Sequence, residues 1–457
     1  MSRKFFGTDG VRGIANTKLL PEFAFSLGQA AAIWAKTRSP GSRVALGADT
    51  RRSGGMLSAA LSAGICSTGY DVLDLGIVPT PVVSYAVRKG DFCLGAVISA
   101  SHNPAPDNGI KFVGGDGRKL PDEAEEEIES LLNQTFTRPW AEGVGQIEHG
   151  QDPVEGYLLQ LESVLPEGLA GMSIAMDCAH GAAYKLAPEL LRRLGANVLL
   201  TGVAPDGMNI NAEGGATKPE TICDFTRQSG SEIGVAFDGD ADRVIFSDSH
   251  GRLINGDRTM GIWAVERKRR AQLDPPAVVG TVMSNGGFET YLKGHGITLE
   301  RAAVGDKYVV QRMEATGAKI GGEQSGHIIF PEQGPTGDGL ATMMQILEVM
   351  RNSNLSSSQI YEAYDSWPQL LVNIGVESSS GWQERLSDEL AEAARLLDGQ
   401  GRFSVRPSGT QPMIRVMVEA THYPLRDEVA NLLTDSIVSK LGGHIHGRVD
   451  LTHALGD

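Results

Sequence analysis

A chain of 457 residues is too long for one hydrophobic core and points to three or four domains. Its 41% hydrophobic and 21% charged residues are those of a globular protein in water, and no run approaches the roughly 20 apolar residues of a membrane span. A net charge of −15 argues against a nucleic-acid partner, because phosphate binding leaves a basic footprint; an anionic small substrate would need arginines and lysines gathered locally against that field. The opening Met-Ser-Arg-Lys-Phe-Phe-Gly has no signal-peptide core, and Cys66, Cys93, Cys178 and Cys223 lack CxxC spacing, so reduced, mostly buried thiols of a cytoplasmic protein are expected.

In chain order, strands are predicted over 43–46, 70–75 and 92–99, with helices over 55–68, 81–88 and 121–133. That βαβ alternation implies a mostly parallel sheet with crossover helices. Residues 135–152 are polar and irregular and read as a linker. The pattern restarts with strands over 172–177, 197–200 and 233–237 around a helix over 183–194. It restarts again with strands over 277–281, 298–301 and 319–321 and helices over 287–293 and 339–350. Beyond about residue 366, strands over 369–376, 402–405 and 413–420 and helices over 387–397 and 426–441 describe an α+β segment. The expectation is an α/β protein of three similar domains with mixed, mostly parallel sheets (1–150, 151–252, 253–366) and a C-terminal α+β domain (367–457).

Four loops carry candidate chemistry. Ser101, in Ala-Ser-His-Asn-Pro, follows a strand that must stop, since Pro104 cannot donate to a sheet ladder and Asn103 tolerates turn dihedrals. Its hydroxyl is therefore expected to stand exposed on a tight loop beyond a strand's carboxyl end, where open α/β sheets place their chemistry; the plainer reading is a turn with an incidental serine. Asp238-Gly-Asp240-Ala-Asp242-Arg243 follows an apolar strand, and three alternate carboxylates can converge on one hard cation such as Mg²⁺. An EF-hand is excluded, because Arg243 and Ser249 stand where it needs glycine and glutamate. A solvated acidic turn is disfavoured, because three such charges repel unless a cation offsets them. Gly321-Gly-Glu323-Gln-Ser325-Gly-His327 offers an acceptor and a donor for sugar hydroxyls and an imidazole for proton exchange, against the alternative of a structural histidine. Arg406-Pro-Ser408-Gly409-Thr410, with Arg415 beyond, reads equally as a phosphate nest or a turn between strands. Near the start, Arg12 sits between glycines and can approach a substrate, while Asp49-Thr-Arg51 serves as well for capping a turn.

In this order and spacing, over essentially the whole chain, the four loops resemble those of the α-D-phosphohexomutase superfamily. The opening Phe-Gly-Thr-Asp-Gly-Val-Arg-Gly, the Gln of GEQSGH, Val304-Gly-Asp-Lys-Tyr-Val309 and Thr281-Val-Met-Ser-Asn285 are most similar to its bacterial amino-sugar branch. The resemblance implies four domains around a central cleft and an intramolecular phosphotransferase that interconverts glucosamine 6-phosphate and glucosamine 1-phosphate. It implies a phosphoryl group on Ser101, one Mg²⁺ held by Asp238, Asp240, Asp242 and the phosphoserine, and a glucosamine 1,6-bisphosphate intermediate. Lys111 matches the family's general base, His327 a second proton-exchanging group, and Arg12 and Arg243 positions near the reacting phosphoryl. Glu323 and Ser325 match sugar-hydroxyl ligands; Arg406, Ser408, Gly409, Thr410 and Arg415 match the distal phosphate clamp. A closable fourth domain would keep water from the phosphoserine, and a homodimer is a further expectation. Gln411, His180, Gly214 and Ala48 depart from the branch's usual residues, and Gln411 removes a charge from the clamp loop. The competing readings are a mannose- or glucose-specific sister mutase, a metal-dependent phosphatase, and a non-catalytic sugar-phosphate sensor.

Overall fold

The computed structural model describes residues 3–7, 9–38, 41, 43–408, 412–453 and 455. Four sheets follow one another along the chain. The first has six strands, in spatial order Val11–Ile14, Asp107–Gly114, Leu94–Ile98, Arg43–Ala48, Asp71–Ile77 and Ile147–His149. Its inner strands run parallel, and Asp107–Gly114 returns antiparallel to Leu94–Ile98, so the turn between these two is the Ser101 loop. The second sheet orders Leu253–Ile254, Val244–Asp248, Ile233–Phe237, Ser173–Asp177 and Asn197–Thr201. The hairpin Ile233–Phe237 to Val244–Asp248 is antiparallel, and its turn is the acidic loop. The third sheet joins Thr298–Ala302 and Ala277–Thr281 in parallel to Gly321–Gly322, which turns antiparallel into Ile328–Ile329; residues 323–327 form that turn. The fourth sheet, Gly401–Pro407, Met413–Ala420, Gln369–Gly375 and His444–Asp450, is antiparallel throughout.

The mixed, mostly parallel character of the first three sheets and the separate α+β end match expectation. Three local readings change. The segment read as a linker contains the strand Ile147–His149, which closes the first sheet's edge against Asp71–Ile77. Leu253–Ile254, assigned by the sequence to the third segment, pairs into the second sheet. The predicted strand over 319–321 is only Gly321–Gly322, because two glycines have no side chains to pack on a pleated face. The helix Pro21–Lys36 was not anticipated: half its residues bury, but they are mostly alanines, which leave little apolar contrast to read.

One apolar cluster runs continuously from Ala45 in the first sheet to Ile360, binding the first three sheets into one body. The fourth sheet has a core of its own between Leu370 and Leu441. Cys66, Cys93 and Cys178 are buried thiols, and Cys223 is partly covered. Among the described residues no helix is long and apolar enough to cross a membrane.

Candidate active site

The Ser101 loop leaves Ile98 inside the body and holds Ser101 in the left-handed region, at φ +49. Ser101 is buried and not exposed as its loop suggested, because the turn that carries Asp238 closes against it, and its Oγ donates to Asp238 Oδ2 at 2.6 Å. What holds this loop is Arg51. Its Nη2 donates to the carbonyls of Ser101 (2.9 Å) and Asn103 (2.8 Å), and its Nη1 to those of Pro104 (2.5 Å) and Asp107 (2.9 Å). Its Nε pairs with Asp49 at 2.9 Å, in an ion pair with neither side chain exposed. Asp49 in turn accepts from Ser99 Oγ at 2.7 Å, whose oxygen receives the Ser101 N–H at 2.8 Å. Asn211, from the loop before 214, donates to the Ser101 carbonyl at 2.9 Å. Asp49 and Arg51 thus do more than cap a turn.

The acidic turn meets this loop directly. A Cβ at Gly239 would overlap the Ser101 carbonyl oxygen, so only glycine allows the two loops to touch. Asp238, Asp240 and Asp242 offer three ligand atoms all within 4.8 Å of one another. Asp240 Oδ2 accepts from Lys111 Nζ at 2.8 Å and from Thr80 Oγ1 at 2.5 Å. Asp240 Oδ1 and Asp242 Oδ1 are buried with no hydrogen-bond partner among the described residues. Two unpartnered carboxylate oxygens, converging with a third ligand, are costly without a cation and fit a hard divalent ion such as Mg²⁺. The electrostatics say the same: burial, then the charges of Asp242 and Asp240, push the Asp238 carboxyl well above its ordinary range.

A cavity of about 460 Å³ opens over this pair of loops, lined among others by Arg12, Thr80, Ser101, Lys111, Asp242, Arg243, Glu323 and His327. Seven of the predicted residues therefore share one chamber with the metal-loop floor. Burial would lower the Lys111 ammonium's pKa, but the charges of Asp240 and Asp242 overcome it and hold it above the ordinary lysine value. As it stands Lys111 is a cation; it can take up a proton only once those carboxylates are neutralised. His327 Nδ1 lies 3.7 Å from Asp242 Oδ2. Burial opposes its charge, but the neighbouring Asp242 outweighs burial and raises its pKa to about 9. Its Nε2 is buried without a partner among the described residues. A Cβ at Gly337 would overlap the ring, so this glycine makes room for it. Arg12 pairs with Asp9 at 3.4 Å, and the Arg243 backbone bridges to His327. Glu323 Oε1 accepts the Gly305 N–H at 2.9 Å.

Ser325 is placed otherwise than expected. The turn closed by Gly326 N on Glu323 O (3.0 Å) buries it, its Oγ has no partner among the described residues, and it does not border the cavity. The clamp residues also lie away from the chamber: Arg406 and Arg415 face each other across Gly401–Pro407 and Met413–Ala420, and Ser408 follows. Gly409, Thr410 and Gln411 lie outside the described residues. Burial, then the facing Arg415, lower the Arg406 guanidinium's pKa. Two like charges in register repel, and Arg415 Nε is buried without a partner among the described residues, so the pair is suited to an anion.

Four family models tile the chain. The phosphoglucomutase/phosphomannomutase alpha/beta/alpha domains I, II and III match residues 3–138, 155–251 and 255–367, and the C-terminal domain matches 371–436. The phosphoglucosamine mutase of Symbiobacterium thermophilum is 48% identical over 96% of this chain and 99% of its own length. The chain belongs to the phosphoglucosamine mutase family. That of Bacillus cereus, another member, is 42% identical over 96% of this chain and 99% of its own. In fold, a phosphoglucomutase/phosphomannomutase family protein from Burkholderia thailandensis superposes with a TM-score of 0.81 at 24% identity, over 97% and 99% of the two chains. The Aspergillus fumigatus N-acetylphosphoglucosamine mutase, solved with GlcNAc-6P and magnesium, gives 0.67 at 19% identity, over 95% and 96%. As in phosphoglucosamine mutases at large, the chain is a phosphohexomutase, an isomerase acting on a hexosamine phosphate.

Proposed function

We propose that this enzyme moves a phosphoryl group between O6 and O1 of glucosamine phosphate through Ser101. The observation that carries the reading is Ser101 Oγ, 2.6 Å from Asp238 and inside the same chamber as Lys111, Arg12, Arg243 and His327. In the first half-reaction, phosphoserine gives its phosphoryl to the O1 hydroxyl of glucosamine 6-phosphate, and Ser101 leaves as the alcohol. The resulting 1,6-bisphosphate turns over, and Ser101 attacks the phosphoryl on O6, leaving glucosamine 1-phosphate and regenerated phosphoserine. Phosphoryl transfer needs positioning and charge neutralisation more than covalent chemistry. Arg12 and Arg243 are placed to neutralise the equatorial oxygens. Lys111 and His327 carry the protons: one takes the attacking hydroxyl's proton in one orientation of the sugar, the other supplies the leaving oxygen's. Asp238, Asp240 and Asp242 would hold Mg²⁺, which supplies charge neutralisation at the phosphoryl oxygens. Glu323 is placed for the sugar hydroxyls. Arg406, Ser408 and Arg415, with Gly409 and Thr410, would grip the far phosphate once the fourth sheet swings over the chamber. Boundaries near residues 150, 254 and 366 are the domain division that the four sheets support.

The test is turnover of glucosamine 6-phosphate against glucose and mannose 6-phosphates, with Mg²⁺ and the matching bisphosphate. A strong preference for the amino sugar is expected, and Ser101→Ala should lose activity while keeping the wild-type circular dichroism. A preference for mannose or glucose would move the chain to a sister specificity, and an active Ser101→Ala would remove the phosphoserine.

A further inference from the structure

The carboxylate of Asp240 is held asymmetrically, by Lys111 and by a helix residue from the part of the chain that builds the first sheet. Thr80 opens the helix Thr80–Lys89, which follows the strand Asp71–Ile77 in the part of the chain that carries Ser101. It is buried and borders the chamber. Its backbone N–H, one of the donors a helix start leaves unpaired, gives to the Asp240 carbonyl at 3.0 Å. Its hydroxyl gives to Asp240 Oδ2 at 2.5 Å. Thr80 therefore grips the acidic turn by backbone and side chain of the same residue.

A carboxylate can turn about its Cβ–Cγ bond and exchange its two oxygens. With Oδ2 engaged by Thr80 and Lys111, the oxygen left buried and unpartnered is Oδ1. We propose that Thr80 is a positioning residue for the cation site, fixing Asp240 so that Oδ1 is the oxygen presented to the metal. The inference rests on the reading of the aspartate triad as a divalent-cation site. Lys111 alone cannot hold this orientation through turnover, because it is also placed to exchange protons with the substrate and its bond to Asp240 must loosen when it does. The Thr80 hydroxyl, by contrast, stays neutral throughout. Through Thr80 and the Ser101–Asp238 bond, the cation's position is set relative to the serine by two independent contacts between the first and second sheets.

Outer-shell partners of metal ligands contribute about 10–100-fold to metal affinity. The test is Mn²⁺ affinity, read as free Mn²⁺ by electron paramagnetic resonance, with Mg²⁺ competition, on the full chain without substrate. Thr80→Val keeps the branched shape and removes the donor; Thr80→Ser keeps the donor; Thr80→Ala removes it with no overpacking and serves if the valine variant fails to fold. Thermal melts establish that each variant is folded. Thr80→Val and Thr80→Ala are expected to bind Mn²⁺ at least about 10-fold more weakly than wild type, with Thr80→Ser within about threefold. Unchanged affinity in the donor-less variants while wild type binds and Asp240→Asn does not would overturn the role of Thr80 and leave the triad standing. Wild type that binds no Mn²⁺ would overturn the triad as a cation site, and this inference with it.

Discussion

All five N–H groups of Arg51 are engaged: four on carbonyls of the Ser101 loop and one on Asp49. A flat guanidinium presents five donors in a fixed fork, enough for four carbonyls and a carboxylate, whereas an ammonium on a flexible stem has three. Arg51→Met would leave Asp49 buried and unpaired, which costs roughly 3–5 kcal/mol in comparable cases. Arg51→Lys keeps the charge but frees the loop. We expect it to retain most of the stability yet lower kcat at least about 10-fold, with KM for the sugar phosphate little changed, since Arg51 does not border the chamber. Urea unfolding alongside steady-state kinetics reads both; a KM effect without a kcat effect would contradict the loop-holding role. The residues legible in the sequence were those that a local pattern marks, wherever their partners lie. Asp238, Asp240 and Asp242 declare themselves by alternation, and Ser101 by the proline and asparagine after it. Arg51, Asn211 and Thr80 reach partners 50, 110 and 160 positions away; nothing local marks Asn211 or Thr80, and the motif around Arg51 reads equally as a turn cap. Ser325 shows the converse: its neighbours suggest a ligand loop, and nothing in them announces that the turn buries its hydroxyl.

At the scale of elements, the helix Gly339–Ser353 shows how a cap couples the site's surroundings to pH. Asp338 caps it, its side chain accepting from Ala341 N at 2.9 Å. The Tyr157 hydroxyl, from the helix Asp152–Glu162, donates to the same oxygen at 2.8 Å. Burial outweighs these bonds and raises the Asp338 pKa to about 6. The folded state therefore holds this proton more tightly than the unfolded chain does. Its favourable contribution is full below about pH 4, is lost as pH rises towards 6, and is flat above. The loss amounts to roughly 3 kcal/mol. Asp338→Asn keeps both acceptor bonds and removes the charge. It should therefore be more stable than wild type at pH 8 and about equal at pH 4, by urea midpoints at both values; a pH-independent difference would contradict the buried carboxylate's role. The helix itself was expected over 339–350. The strand Ile147–His149 was not, because its three residues are exposed and take their structure from Asp71–Ile77 rather than from their own pattern.

At the scale of the whole molecule, three sheets share a core and the fourth does not. Between them lie a small apolar cluster, Met283, Leu371, Met417 and Leu451, and a polar latch. Glu419, wholly buried on Met413–Ala420, accepts the Gly286 N–H at 2.8 Å, a free donor at the start of the helix Gly286–Gly294 beside the third sheet. Arg402 pairs with Glu419 at 2.9 Å and donates to the carbonyls of Val282 and Ser284. Asn285 exchanges two bonds of 2.9 Å with the backbone of Trp367. Small, polar interfaces permit domains to move, and lids that close on substrate are the usual means of excluding water. In the closure proposed above, the latch is compact enough to act as the pivot about which Arg406 and Arg415, on the same sheet, would move to the chamber. Glu419→Gln keeps the shape and one acceptor but strands the Arg402 charge. Since Arg402 is about a quarter exposed, the cost should sit near the low end for a broken buried pair, about 3 kcal/mol. That loss falls on the interface and not on either core. Calorimetry should therefore split into two transitions, with the fourth sheet's body melting first, and small-angle scattering should show a larger radius of gyration than wild type. Sugar phosphate should contract the wild type and fail to contract the variant, with KM raised in step. A single unsplit transition with an unchanged radius would show that the fourth body is fixed by its apolar contacts alone, and closure would then have to turn about some other point.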